Sequence, residues 1–496
     1  MEKEAVHLER CELCVIGMGV SGLNALSSSS EYLSKKDKII IVDKQKPQQA
    51  IGGMWNNVYQ FVRLHQPHPL FTVGNQKWQV GKNASHLASK SEILNHFNAC
   101  YQHLKDQFSI TEMFGYEYLN HEEVKEGDDY VVHIRFKSAE SELPDLIIKA
   151  NKCIKSFGFN VRPNAPMKFS TDKVHSLSPE SEAMLNGTVA NDNKPVFIIG
   201  GGKTSMDAAN YILAQNPDRK IHFIIGRGTY FLNRDTFFPA GIRKNWHGVT
   251  ITECLTDITY RYDENDLNKA TEHIKSKYAL APFPDARQTL IGLLSPEEAE
   301  RVEKATEEAV YDYLTDVKEE GDKAILHFKS GKQQKTEPGS WFINCSGHLF
   351  LEKKEKTDPI LSEKGKVLSI QSTESAFVFT SFAGYFLPHL WFRNQYQQVP
   401  FLKFNHEELI KKDKESYFYA TAAQVIHNQI RCIEALPLSV VTKCGLNFDK
   451  WFPFHRQLPV IIKLLMKKKK HLQKTKETIQ KICDRHEVEV GIIGQH

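Results

Sequence analysis

The sequence predicts an α/β protein with two Rossmann-like units, the first of them discontinuous, and three observations carry that prediction. Residues 14–17 (CVIG) and 195–200 (PVFIIG) are short apolar runs that end in glycine loops. Each loop opens a segment of helix length, 21–34 and about 205–213, rich in small or alternating residues. A second apolar run follows each, 38–43 (KIIIVD) and 220–226 (KIHFIIG). Such runs read as strands buried on both faces of a parallel sheet, so each half is a βαβ unit.

Between the two units, 113–118, 130–137 and 145–156 read as antiparallel strands of an inserted meander. The segment 262–318 reads as a helical insertion. Ser295-Pro296-Glu297-Glu298 supplies an N-cap, a first-turn proline and a capping-box glutamate, and Ala299, Val302, Ala309, Leu314 and Val317 follow at near-helical spacing. Residues 323–328 and 340–345 (SWFINC) read as strands again.

The 496 residues, 41% hydrophobic and 25% charged, leave room for two to four domains with real cores. A formal net charge of +4 gives no reason to expect nucleic-acid binding. Nine widely spread cysteines do not form a secreted disulfide framework, and the opening MEKEAVHLER has no apolar signal-peptide region. A reducing, cytoplasmic setting is expected. No apolar run approaches the roughly 20 residues that span a bilayer.

The first glycine motif is Gly17-Met18-Gly19-Val20-Ser21-Gly22. Gly17 permits the tight turn, Gly19 lets backbone approach a pyrophosphate, and Gly22 allows close helix–strand packing. The helix N-terminus favours phosphate charge. Asp43, with Lys44 beside it, ends the next strand where a carboxylate accepts from ribose hydroxyls. The second motif is Gly200-Gly201-Gly202-Lys203-Thr204-Ser205, with serine in place of the third glycine. Asp43 lies 26 residues after Gly17 (43 − 17), and the same step from Gly200 reaches Gly226 (226 − 200), with Arg227 next to it. A missing acid beside an arginine suits a 2′-phosphate. The first site therefore suits FAD or NAD, and the second NADPH. Arg234 reads as a solvated arginine or as an assistant to Arg227.

This arrangement resembles the flavoproteins with two dinucleotide-binding domains, over about residues 10–385. Ser156-Phe157-Gly158, followed by Pro163 and Pro166, is similar to the segment where such chains leave the FAD domain. Asn344-Cys345-Ser346-Gly347 is similar to the segment where they return. The resemblance implies FAD-domain residues 1–166 and 341–435 and an NADP domain at 167–340 carrying the 262–318 insertion. Residues 436–496 are left as a basic and aromatic C-terminal extension.

Residues 52–70, GGMWNNVYQFVRLHQPHPL, set the branch. No cysteine follows Gly53 until Cys100, which argues against a disulfide reductase, and Cys11 and Cys14 read as small core residues. GGMW resembles the GG-x-W segment of class B flavin monooxygenases, which include flavin-containing and Baeyer–Villiger enzymes. The resemblance implies that Gly53, Met54 and Trp55 cover the flavin ring and shield a C4a-hydroperoxide from water. The family's fingerprint is matched in part: Phe169 and His175 are kept, while Thr171 and Pro179 replace its glycine and its terminal aromatic.

By the same resemblance, His65 and Gln66 stand where an asparagine approaches flavin and oxygen. They are the candidate catalytic pair, His65 for protons near neutral pH and Gln66 as an amide donor. The alternative for His65 and for His68 is bracing of a proline-fixed loop. Ser381, within TSFAGY, stands where such folds bring a last turn back to the flavin, or in a strand followed by a turn. Residues 386–396 (FLPHLWFRNQY) are either a substrate-pocket wall or a packing cluster.

The expected activity is an NADPH-dependent FAD monooxygenase using molecular oxygen on a small or apolar substrate. The alternatives are a flavin reductase or dehydrogenase with another acceptor, and a non-catalytic dinucleotide-binding scaffold. The tail 451–470 (WFPFHRQLPVIIKLLMKKKK) is open to weak membrane-surface contact, although its pattern favours a terminal helix with a solvated basic end.

Overall fold

Lys38–Asp43 is buried at five of its six positions, as a strand covered on both faces must be. In the computed structural model, which describes residues 7–139, 144–159, 161–289, 291–346, 358–372 and 374–493, it lies inside a parallel sheet. The order there is Ser109–Phe114, Lys38–Asp43, His7–Ile16, Leu146–Phe157. Leu146–Phe157 has two further neighbours. Its first half pairs antiparallel with Asp129–Ser138, and its second half parallel with Val367–Gln371. Tyr116–Glu126 extends the meander by pairing with Asp129–Ser138.

The second sheet repeats this plan with Thr306–Val310, Ile221–Ile224, Val196–Ile199, Trp341–Asn344 and His175–Leu177, all parallel. Here too a meander precedes the fourth strand: Leu314–Glu320, Lys323–Phe328 and Gln333–Thr336. The two βαβ units read from sequence are therefore two sheets of one strand order.

Several expectations need correction. Residues 113–118 are not one strand. The chain turns at Gly115, whose N–H donates to the carbonyls of Asp43 and Gln45, both at 2.9 Å. The stretch before the turn is the outer parallel strand, and the stretch after it begins the meander.

Nor is 262–318 helical throughout. Leu267–Tyr278 and Pro296–Ala305 are helices, the second with the expected capping box of Ser295 and Glu298. Helical spacing then gives way to sheet pairing. Thr306 and Val310 pair with Ile221 and Ile224, because that strand needs an outer neighbour. Pairing partners, not local periodicity, decide the conformation there. Trp341–Asn344 also belongs to the second sheet, so the chain leaves that unit after 344 rather than at 340.

Third, residues 436–496 are no appendage. Val490–Ile493 pairs with Phe401–Asn405, and Ile479 and Ile482 of the helix Lys468–Arg485 share a core with Phe418 and Ile426 of the helix Lys414–Ala435. The same core takes Phe237 and Ile258 from the helices just before the insertion and Ile274 from the insertion itself. Each such side chain, fully buried, contributes roughly 1.5–3 kcal/mol. The helices over 234–278 and the C-terminal region thus close a third core together.

Residues 380–392 form a helix, neither strand nor turn, and Leu387, Leu390 and Trp391 are buried in the core that also holds Leu23 and Leu26. The aromatic run is packing. Among the described residues no helix is long and apolar enough to cross a membrane.

Candidate functional site

The first cradle sits at the end of His7–Ile16, where the glycine loop opens the helix Val20–Ser30. A side chain on Gly22 would place its Cβ 1.8 Å from the carbonyl oxygen of Gly17, so only glycine fits that helix–strand contact. Gly53 (φ +56) lies across from Gly19, and a Cβ there would come within 2.7 Å of the Gly19 Cα. The double glycine is thereby laid on the phosphate loop, fixed by the Gly52 N–H donating to the Met18 carbonyl at 3.0 Å.

Asp43 closes the cradle. Its carboxylate accepts from the N–H groups of Met18 (2.8 Å) and Gln45 (2.9 Å). Burial nonetheless pushes its carboxyl above the ordinary value, against those donors. Each oxygen retains a lone pair for a ribose hydroxyl. Lys44 is exposed. Ser21 donates to Thr380 Oγ1 at 2.7 Å, and Gly158 packs beside both hydroxyls. That contact brings the N-terminus of the helix Thr380–Phe392, with Ser381 buried in its first turn, to the cradle. Gly347 lies outside the described residues.

Two buried polar groups near this cradle, the Trp55 indole N–H and the Ser156 hydroxyl, have no hydrogen-bond partner among the described residues. An unmet buried donor is costly in a folded chain, and a bound group carrying acceptor atoms would relieve it. The cradle geometry and these groups fit a flavin dinucleotide. Trp55 is buried against Phe71 with ring centroids 5.6 Å apart, as a wall of the site would be. Met54 is partly buried in the same core.

The second cradle opens the helix Lys203–Gln215. Gly200 faces the Cys345 carbonyl, where a Cβ would sit at 2.6 Å, and Ser205, in place of the third glycine, is buried behind it. Gly202 faces open space, and Thr204 is half-buried in the first turn. At Gly226 the Tyr313 ring stands where a side chain would go, 2.8 Å from an ideal Cβ. This explains the missing acid. Arg227 is exposed beside it, and Lys414, from the helix Lys414–Ala435, is close enough that burial and the Arg227 charge lower its pKa. Arg227 is marked in the sequence by its place beside Gly226, whereas Lys414 and Tyr313 arrive from distant segments and carry no such mark.

The loop after the double glycine spans the two cradles. Tyr59 donates to Asp207 Oδ2 at 2.7 Å, and Asp207 also pairs with Lys203 one helical turn back. Burial, then Asp207, pushes the Tyr59 hydroxyl well above its ordinary value, so it stays a donor. Phe61 stacks on Tyr211 of the same helix at 4.4 Å. Arg234, read from sequence as solvated or as an aid to Arg227, is buried. It donates to the His65 carbonyl at 2.7 Å and pairs with Glu298 at 2.8 Å. Burial raises the Glu298 carboxyl, but Arg234 and Lys203 outweigh it and hold the group below its ordinary value.

His65 is therefore beside Lys203 and Arg234. Burial, then those two cations, lowers its pKa well below the usual imidazole range, which corrects the expectation of titration near neutrality. The ring is a neutral hydrogen-bonding group. Gln66 beside it is half-buried, and its amide has no hydrogen-bond partner among the described residues. His68 belongs elsewhere: its Nδ1 lies 3.0 Å from the His86 carbonyl and its ring meets Trp78 edge-on, so it braces the loop. Phe169 and His175 pack on Phe342 and Trp341 of the second sheet. All nine cysteines are buried and free, and burial pushes the Cys11 thiol up to about 12. Cys11 and Cys14 pack in the core with Cys153 and Val132.

No family model matches the chain. The uncharacterized protein Rv2000 of Mycobacterium tuberculosis is 25% identical over 245 residues, 46% of this chain and 40% of its own length. The matched region thus spans less than half of that relative. Among solved structures, the polycyclic ketone monooxygenase of the fungus Thermothelomyces thermophila superposes with a TM-score of 0.50 at 11% identity, covering 99% of this chain and 91% of that one. The bacillithiol disulfide reductase of Staphylococcus aureus gives a TM-score of 0.42 at 12% identity, covering 79% and 99%. Two parallel sheets of one strand order, each ending in a glycine cradle, give the chain the fold of the two-dinucleotide-binding-domain flavoproteins, in which it resembles the class B flavin monooxygenases.

Proposed function

We propose that the chain is an FAD-dependent oxidoreductase that draws electrons from NADPH and acts as a monooxygenase on a small or apolar substrate. One observation carries the reading. The loop that begins on the first cradle reaches the second, tied there by Tyr59 to Asp207 and by the His65 carbonyl to Arg234. A segment held at both cradles keeps the meeting point of two dinucleotides in one geometry, which is what transfer between them requires.

The FAD pyrophosphate belongs on Gly17, Gly19, Ser21 and Gly22, against Gly53, with ribose on Asp43 and Gly158 and Ser381 flanking it. NADPH belongs on Gly200, Gly202, Lys203, Thr204 and Ser205, with its 2′-phosphate on Arg227. When bound, the flavin supplies two-electron exchange between the nicotinamide and oxygen. The chain's residues do the rest. Trp55 and Met54 keep water from the ring, Gln66 offers an amide donor and acceptor, and neutral His65 offers a hydrogen bond without a competing positive charge.

The monooxygenase reading is tested by following oxygen uptake, NADPH oxidation and product formation together on a panel of sulfides, amines and ketones. The expected result is equimolar uptake and oxidation with an oxygenated product. NADPH oxidation in air that yields no oxygenated product from any of the panel, while an added electron acceptor is reduced in step with it, would assign the chain to the reductases instead.

A further inference from the structure

The helix Phe454–Met466 is built inside out. Leu464 is its one buried side chain, whereas Phe454 (68% exposed), Leu458, Ile462 and Met466 (81%) form a stripe at helical spacing that faces solvent. Soluble helices turn such a stripe to the core, and contiguous exposed apolar surface marks a place where something docks. The patch continues past the helix. Arg456 donates to the carbonyls of His247 (2.7 Å) and Gly248 (2.8 Å), which holds the turn Gly241–Asn245 and its neighbour against the first helical turn. That segment carries Ile242 and Trp246, 74% and 71% exposed.

The charge along this stretch of the chain has one sign. From Lys450 to Lys476 the sequence has nine lysines and arginines and no aspartate or glutamate, in a chain whose net charge is only +4. Lys468 is satisfied by Glu434 at 2.8 Å, but Lys463, Lys467 and Lys469 have no acidic partner among the described residues. Two copies meeting through this face would bring like charges together, because a two-fold interface sets the same patch against itself. Large apolar and aromatic side chains framed by unpaired lysines suit an anionic bilayer, where rings and aliphatic groups enter the headgroup boundary and lysines meet lipid phosphates.

We propose that Phe454–Met466, with Ile242 and Trp246, is a membrane-surface anchor that lies in the plane of an anionic bilayer. The sequence pattern favours a solvated basic end, and burial decides otherwise: the apolar residues are the exposed ones. This inference is independent of the redox reading.

Full-length protein is mixed with vesicles of phosphatidylcholine alone and of phosphatidylcholine containing about one third phosphatidylserine, then sedimented at low and high salt. The expected result is binding to the anionic vesicles, weakened by salt, with little binding to phosphatidylcholine alone. Each of Lys467→Gln and Lys469→Gln lowers partitioning about fivefold. Ile462→Glu with Met466→Glu abolishes it, while an unchanged melting curve shows that these exposed positions leave the fold intact. No binding to anionic vesicles, or binding indifferent to these substitutions, overturns the proposal. So does a chain that is dimeric without lipid and becomes monomeric with Ile462→Glu, which would assign the face to a second copy.

Discussion

At Gly226 a single ring stands where a side chain would go. Gly226 is the position that matches Asp43 by the 26-residue step, and the Tyr313 ring lies 2.8 Å from where a side chain there would begin, so this cradle carries no ribose-binding acid at that place. Arg227 and Lys414 supply positive charge beside it. Charge-assisted bonds of that kind contribute about 1.5–3 kcal/mol. Arg227→Ala is accordingly expected to raise the KM for NADPH by roughly 10–100-fold while leaving the KM for NADH unchanged. Steady-state kinetics with both nucleotides checks it, and an equal change for the two would remove Arg227 from phosphate recognition. The residue-scale chemistry legible in the sequence was the part carried by local spacing: Gly17, Gly19, Gly22, Asp43 and the Gly200 loop. Tyr59, Asp207, Arg234 and Lys414 were not legible, because their roles depend on partners more than a hundred residues away in the chain.

Elements tell the same story through their ends. The helix Pro296–Ala305 was legible at its start, where Ser295 and Glu298 announce a capping box, and illegible at its end, where the neighbouring strand takes over. Buried histidines mark elements that carry an acid sensitivity. His96, His389 and His427 lie inside the helices Lys90–Lys105, Thr380–Phe392 and Lys414–Ala435. Burial first, and nearby positive charge second, holds each at about 4, below the ordinary 6.5. As pH falls below 6.5 the unfolded chain takes up these protons before the folded one does. Stability is therefore full above about 6.5 and lost toward 4, with each histidine contributing a slope of up to about 1.4 kcal/mol per pH unit. Glu92, held at about 2 despite its burial cost by Ser89 and His86, extends the loss to lower pH. Chemical denaturation across this range is expected to show the decline. His427→Gln, which keeps a partner for Thr475 (2.9 Å from His427 Nδ1), should flatten it by about one third of the histidine contribution. An unchanged slope would mean that His427 titrates alike in both states.

On the scale of the whole molecule, two sheets of one strand order stand joined by a loop, and a third core completes the chain. The sheets were legible because buried parallel strands and glycine loops are local patterns. The third core was not, because Ile258 and Ile274 come from one stretch of helices and Ile426 and Ile482 from another about 150 residues on, and neither half announces the other. The loop that joins the cradles is the part of the molecule on which the proposed electron transfer depends. Tyr59, His65 and Gln66 have their proposed roles only if a flavin lies on the first cradle and receives electrons from a nicotinamide on the second. The direct measurement is anaerobic rapid mixing of the purified protein with NADPH or NADH, following flavin absorbance. The expected result is FAD, identified after denaturation, that bleaches with NADPH and does so faster than with NADH. A protein that holds no flavin when supplied with FAD, or a bound flavin that NADPH fails to reduce, would contradict it.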